Sequence, residues 1–244
     1  FIRALLCWLT LTLLSTAHAQ TLINVDFGAG ATSAKVGFAA TGQATNDFWN
    51  RYYHYEPKFL PGMPFVAKGR LESLKLADGS PSRAVLTVTN APGVWGNATG
   101  DPMFDSYLFA PNGSNIVATL AGLEAGRYHF HLYGHADADV TTEQNSVFSL
   151  RSGTNLFGPV AAAGSTTWQA GQPWREGAQF VVFRDVPVTV GEPVAIEVAP
   201  GPGGIAVLNG LQILSRGTAP PRLVRSDIVR AAPGLTNLLF REIR

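Results

Sequence analysis

Hydrophobic and polar positions alternate with a period of two in the middle of this chain, where Tyr128, Phe130 and Leu132 interleave with His129, His131 and Tyr133. That spacing puts one set on a buried face and the other on the opposite face of a strand. Similar short runs, rich in β-branched and aromatic residues and bounded by Gly, Pro, Asn and Asp, predict strands over 21–27, 71–76, 84–89, 107–109, 116–120, 127–134, 146–150, 178–184, 194–198 and 205–214. In the 178–184 run, Phe180 and Val182 oppose Val181 and Phe183, which predicts burial on both faces. No stretch after residue 20 sustains a helical period. The expectation is an all-β, two-layer antiparallel β-sandwich. The segment from Val36 to Arg70 has few strand signals, a group of aromatics and prolines at 57, 61 and 64, and is predicted to be a long surface loop.

The first residues break the pattern. Arg3 precedes an apolar run from Ala4 to Leu14, followed by Ala17-His18-Ala19, which predicts a signal peptide over 1–19 and an exported protein. The run falls short of the ~20 residues of a permanent anchor, so no membrane span is expected in the mature protein. Cys7, the only cysteine, lies inside it. The mature chain is therefore expected to have no disulfide and no thiolate chemistry, and to depend on its core. The domain is expected over 20–216, with 217–244 as a linker and the start of an incomplete following segment of a longer modular protein.

Composition agrees with a turn-rich globular domain: 46% hydrophobic, 14% charged, 26 glycines and 16 prolines. Net charge is +1, but Arg216, Arg222, Arg225, Arg230, Arg241 and Arg244 lie in the last segment against Asp227 and Glu242. The body is left acidic, which disfavours nucleic-acid binding.

Three stretches, LINVDFG at Leu22–Gly28, RYHFHLYGH at Arg127–His135 and AVLNGLQI at Ala206–Ile213, resemble the malectin-like and galactose-binding-like jelly-roll modules of exported multi-module proteins. The resemblance implies a jelly roll and a carbohydrate or cell-surface glycan as partner. Its usual acidic residue followed by a basic-aromatic pair is absent after the central strand, so no binding residue carries over there.

The residues suggest two clusters for such a ligand. NDFWNRYYHYEPKF supplies Asp47, Trp49, Asn50, Tyr52, Tyr53 and Tyr55; NAPGVWGN and DPMFDSYLF supply Trp95 and Tyr107. Aromatic faces stack on sugar C–H faces while planar polar groups orient hydroxyls. The structural alternative is that these rings plug the sandwich, leaving a spacer or adhesion domain without a small ligand.

His129, His131 and His135 offer a third reading, a metal-dependent cupin-like enzyme, with two imidazoles on one strand face ~6.5–7 Å apart. Cupins normally add a carboxylate after the pair and a further histidine late in the domain, and the late region PGPGGIAVLNG has none. Calcium could draw on Asp101 and Asp105 or on Asp137 and Asp139, although no loop matches a calcium motif. Neither a nucleophile elbow nor a phosphate-binding loop is present, and FGAGATSAKVG reads as turn chemistry. Catalysis is not supported. Asn97-Ala98-Thr99 and Asn112-Gly113-Ser114 match the glycosylation sequon.

Overall fold

In a computed structural model, residues 20–29, 35–54, 69–96, 99, 101–136, 145–163 and 173–217 are described. Fourteen strands are assigned among them: β1 Leu22–Ala29, β2 Asn50–His54, β3 Arg70–Leu71, β4 Val85–Thr89, β5 Gly93–Gly96, β6 Ser106–Ala110, β7 Ile116–Ala121, β8 Gly126–Tyr133, β9 Val147–Ser152, β10 Asn155–Ala161, β11 Val181–Val188, β12 Val194–Ala199, β13 Ala206–Leu208 and β14 Gly210–Ser215. They build a five-stranded sheet in the order β11-β8-β14-β1-β2, a six-stranded sheet in the order β10-β9-β12-β7-β4-β3, and a small sheet β13-β6-β5. Every pairing is antiparallel except β1 with β2. The molecule is a β-sandwich of jelly-roll type.

Alternation builds the core. From the first sheet, Val25, Phe27, Phe130, Leu132, Val181, Leu211 and Ile213 point inward; from the second, Leu86, Ala118, Leu120, Phe148, Leu150, Ile196 and Val198 meet them. Full burial of each large side chain contributes about 1.5–3 kcal/mol, which removes the need for cross-links.

The strand expected over 205–214 divides at Asn209, and the division joins two sheets. Residues before it pair with β6, whereas residues after it pair with β1 and β8. Asn209 is buried; its Oδ1 accepts the His135 N–H (2.7 Å) and its Nδ2 donates to the Ser106 carbonyl (3.1 Å). Its own backbone donates to Tyr133 O and accepts from Phe27 N.

Three expectations change. The 36–70 loop contains β2, which pairs in parallel with β1 from Val25↔Asn50 to Ala29↔His54. Of the strand expected over 71–76, Leu71 alone continues the β4 ladder that Arg70 begins and Lys75 makes an isolated bridge to Pro81, because Ser73 adopts φ 54° and the chain turns back at Leu76–Ser80. Glycine and proline concealed β5 and β10, the latter an edge strand with a register shift around Gly158-Pro159.

The face of the first sheet turned away from the core is also covered. Residues 35–49 form a strap across it, and Ala39, Trp49, Met103, Phe104, Tyr133 and Phe180 make a second apolar cluster. Three polar side chains beneath the strap are bonded to one another: Gln212 Nε2 donates to Asn24 Oδ1 (2.8 Å) and Tyr133 Oη donates to Gln212 Oε1 (2.5 Å), while Ala40 N of the strap donates to Tyr133 Oη (3.0 Å).

Candidate functional site

Most of the first cluster serves the interior. Asp47 is buried, and its carboxylate accepts the backbone N–H groups of Gln43 (2.6 Å) and Ala44 (2.7 Å), closing a turn in the strap. Trp49 is 3% exposed and its indole N–H donates to Gly37 O at 2.8 Å. Asn50 ties β1 to the following loop through bonds to Asn24 O, Lys75 O and Lys75 N. Tyr52 lies in the inter-sheet core against Phe27, ring centroids 5.5 Å apart. Tyr53 is buried on the opposite face with Arg51 over its ring. Burial pushes both phenols up to about 12.

The aromatic platform expected on this loop is therefore turned inward at Trp49, Tyr52 and Tyr53. The physical reason is the parallel pairing of β2 with β1, which sends successive side chains to the two covered faces of the sheet. Tyr55 lies outside the described residues.

The second cluster divides differently. Trp95 and Tyr107 stand opposite one another across β5 and β6, so their side chains share a face. Tyr107 is 4% exposed, but Trp95 is 58% exposed. Phe109 continues this face, edge-on to Tyr107 at 6.4 Å, while Leu108 and Ala110 of the same strand enter the core. Gly93 leaves the space that the Phe109 ring occupies; a Cβ there would lie 2.2 Å from it. Asp105 Oδ1 accepts Thr99 N (2.9 Å) and Thr99 Oγ1 (3.0 Å) just before β6. The paired strand β5 holds an indole in solvent.

A charged centre lies beside the second apolar cluster. Lys35 Nζ meets Asp101 Oδ2 at 2.5 Å, with both side chains 7% exposed. Its ammonium also lies 6.0 Å from the Trp49 ring and 5.7 Å from the Trp174 ring, within cation–π range. Asp101 Oδ1 accepts Met103 N, and Asp26 Oδ2 accepts Lys35 N at 3.3 Å. Sequence reasoning missed this centre. Lys35 and Asp101 are 66 residues apart, and neither Asp26 nor Lys35 carries a local pattern that announces the pairing.

The histidines are individually engaged. His129 Nδ1 accepts the Asp185 N–H (3.1 Å), and burial lowers its pKa. His131 packs on Phe180 at 5.8 Å, and its pKa falls to about 4, chiefly through burial with a further contribution from His129. His135 is 6% exposed, with Nε2 2.8 Å from Gln179 O and its ring edge-on to Phe104. Among the described residues no group of three His, Cys, Asp or Glu could hold a metal ion, so His129, His131 and His135 do not make the three-ligand site a cupin-like enzyme requires. Asp101 and Asp105 are engaged by Lys35, Thr99 and backbone groups; Asp137 and Asp139 lie outside the described residues. Asn112 is exposed at the tip of the β6–β7 turn, φ 59°.

One further concavity, about 360 Å³, opens where β1 begins and β14 ends. Ile23, Leu123, Tyr128 and Ile213 line it, with Arg83 and Glu124 also at its wall.

No family model matches the sequence, and no curated protein matches it. The malectin-like resemblance thus rests on the three stretches that suggested it. Among solved structures, similarity is found to carbohydrate-binding modules. TmCBM61 in complex with β-1,4-galactotriose is 15% identical, with a TM-score of 0.30 covering 52% of this chain and 80% of that one. A family 35 carbohydrate-binding module from Clostridium thermocellum is 13% identical, with a TM-score of 0.32 covering 52% and 90% respectively. Similarity at this level transfers no binding residue. Among the described residues no helix is long and apolar enough to cross a membrane.

Proposed function

We propose that this protein is an exported, non-catalytic carbohydrate-binding module of the malectin-like or galactose-binding-like kind, which holds a larger protein on glycan through the Trp95 face of the small sheet. The observation that carries the reading is the exposed indole on a hydrogen-bonded strand, on the face it shares with Tyr107 and Phe109. A sugar ring laid on it would cover on the order of 100 Å² of apolar surface, about 2.5 kcal/mol at about 25 cal/mol per Å². Polar groups would supply orientation, and shallow single-ring stacking implies affinities nearer millimolar than nanomolar. Glycan-array binding of the protein and of Trp95→Ala tests the reading: the variant loses binding while remaining folded.

A second reading, a spacer or adhesion domain without a small ligand, draws on the burial of Trp49, Tyr52 and Tyr53. It expects folded protein to bind no glycan and Trp95→Ala to be silent.

A further inference from the structure

We propose that the Asp26 carboxyl is a pH-operated latch that holds the 35–49 strap to β1 when it is neutral and loosens it when it is ionised. The idea is independent of what Trp95 binds.

Asp26 is 1% exposed. One carboxyl oxygen accepts the backbone N–H of Lys35, the residue at which the described strap begins; the other, Oδ1, is buried without a hydrogen-bond partner. Four titratable or charged side chains act on it. Lys35, on the strap, already gives its ammonium to Asp101. Asp101, on the neighbouring turn, adds like charge. Arg51, which pairs with Asp26 across the β1–β2 ladder, is exposed and sits over the Tyr53 ring, and its charge favours the carboxylate only against the larger cost of burial. Tyr53, also on β2, is buried with its hydroxyl unpartnered. From β14 the residue opposite is Gly210, which contributes no charge.

An ionised Asp26 therefore has a bare oxygen and a carboxylate neighbour, against which stand the exposed Arg51 and a Lys35 ammonium already given to Asp101. The neutral acid avoids most of this penalty. Burial is the largest cause and raises the group from 3.8 to about 7; the Lys35 N–H and the Arg51 charge pull the other way. With the folded pKa above the unfolded one, the folded state retains a proton that the hydrated group releases. The associated stability is fully present below about pH 4 and disappears as pH rises through 7. The cheapest way to hydrate the group is to lift the strap at Lys35, a local opening rather than global unfolding.

The strap also carries Trp49, whose indole closes onto Gly37 O. Opening at Lys35 therefore reaches the aromatic cluster. His131 titrates in the opposite sense, being held neutral, but it belongs to β8 and is common to any pair of variants that differ only at Asp26.

The test is amide hydrogen exchange of the full chain at pH 5.5 and pH 8.0, corrected for intrinsic exchange, in the wild type and in Asp26→Asn. For peptides within 35–49, the wild type is expected to lose roughly tenfold or more in protection between the two conditions. Asp26→Asn keeps constant protection there, and peptides from β7 are unchanged in both. Equal wild-type protection at the two pH values, or an equal fall in Asp26→Asn, overturns the latch. If Asp26→Asn does not fold, carboxyl carbon NMR of the wild type decides: an Asp26 midpoint between 6 and 8 supports the proposal, and one below 6 overturns it.

Discussion

Trp95 and Tyr107 face each other across one ladder, yet the indole is 58% exposed and the phenol 4%. Tyr107 belongs to a small buried cluster with Ala136 and Val207, whereas Trp95 lies on β5, at the edge of its sheet. An indole kept in solvent on a paired strand leaves an aromatic face open to stacking. Trp49, equally prominent in the sequence, is a core residue, and the two tryptophans should respond oppositely to removal.

Trp49→Ala is expected to destabilise the fold by about 3–5 kcal/mol, the usual range for truncating a buried Trp or Phe. Urea unfolding monitored by circular dichroism measures it. A loss below about 1 kcal/mol would mean that the indole does not hold the strap.

Asn209→Ala removes two buried hydrogen bonds and leaves the His135 N–H and the Ser106 carbonyl without those partners. A loss of about 2–6 kcal/mol is expected at about 1–3 kcal/mol per group deprived of its partner. Near-neutral behaviour in the same assay would show that the joint between β13 and β14 does not depend on this side chain.

The overall fold was legible wherever one strand face alone enters the core, as in β4, β7, β9 and β12. It was not legible where pairing depends on distant chain. β2 pairs with β1 through a parallel ladder, so no local turn announces it. Composition likewise could not separate Trp49 from Trp95, because burial depends on which sheet face the surrounding chain covers. Asn209 looked like one polar residue within a strand, although its backbone and side chain connect four other residues. The Lys35–Asp101 pair joins the residue after FGAGATSA with one far along the chain, and charge spacing carries no sign of it.

Lys35→Met should cost about 3–5 kcal/mol, because Asp101 would keep its charge in a buried setting without the ammonium. Adding Asp101→Asn should recover part of that loss, as a double-mutant unfolding cycle would reveal. Additive losses would mean that the two groups do not act as a pair.

His131 is held neutral in the fold, with its pKa lowered from 6.5 to about 4. The unfolded chain binds the proton first as pH falls, so this group lowers stability progressively from about 6.5 down to 4. Melting temperatures at pH 7 and pH 4.5 should therefore converge in His131→Gln relative to wild type. An unchanged difference between the two proteins at both pH values would contradict the assignment.

Glycan-array binding by the wild type and Trp95→Ala, with melting temperature recorded for both, tests the central claim most directly. Selective wild-type binding, lost at least tenfold by a Trp95→Ala protein of unchanged melting temperature, is the predicted result, in line with about 2 kcal/mol of lost stacking. Equal binding by the variant, or no binding by folded wild type, would contradict the claim, and the latter would leave the spacer reading in its place.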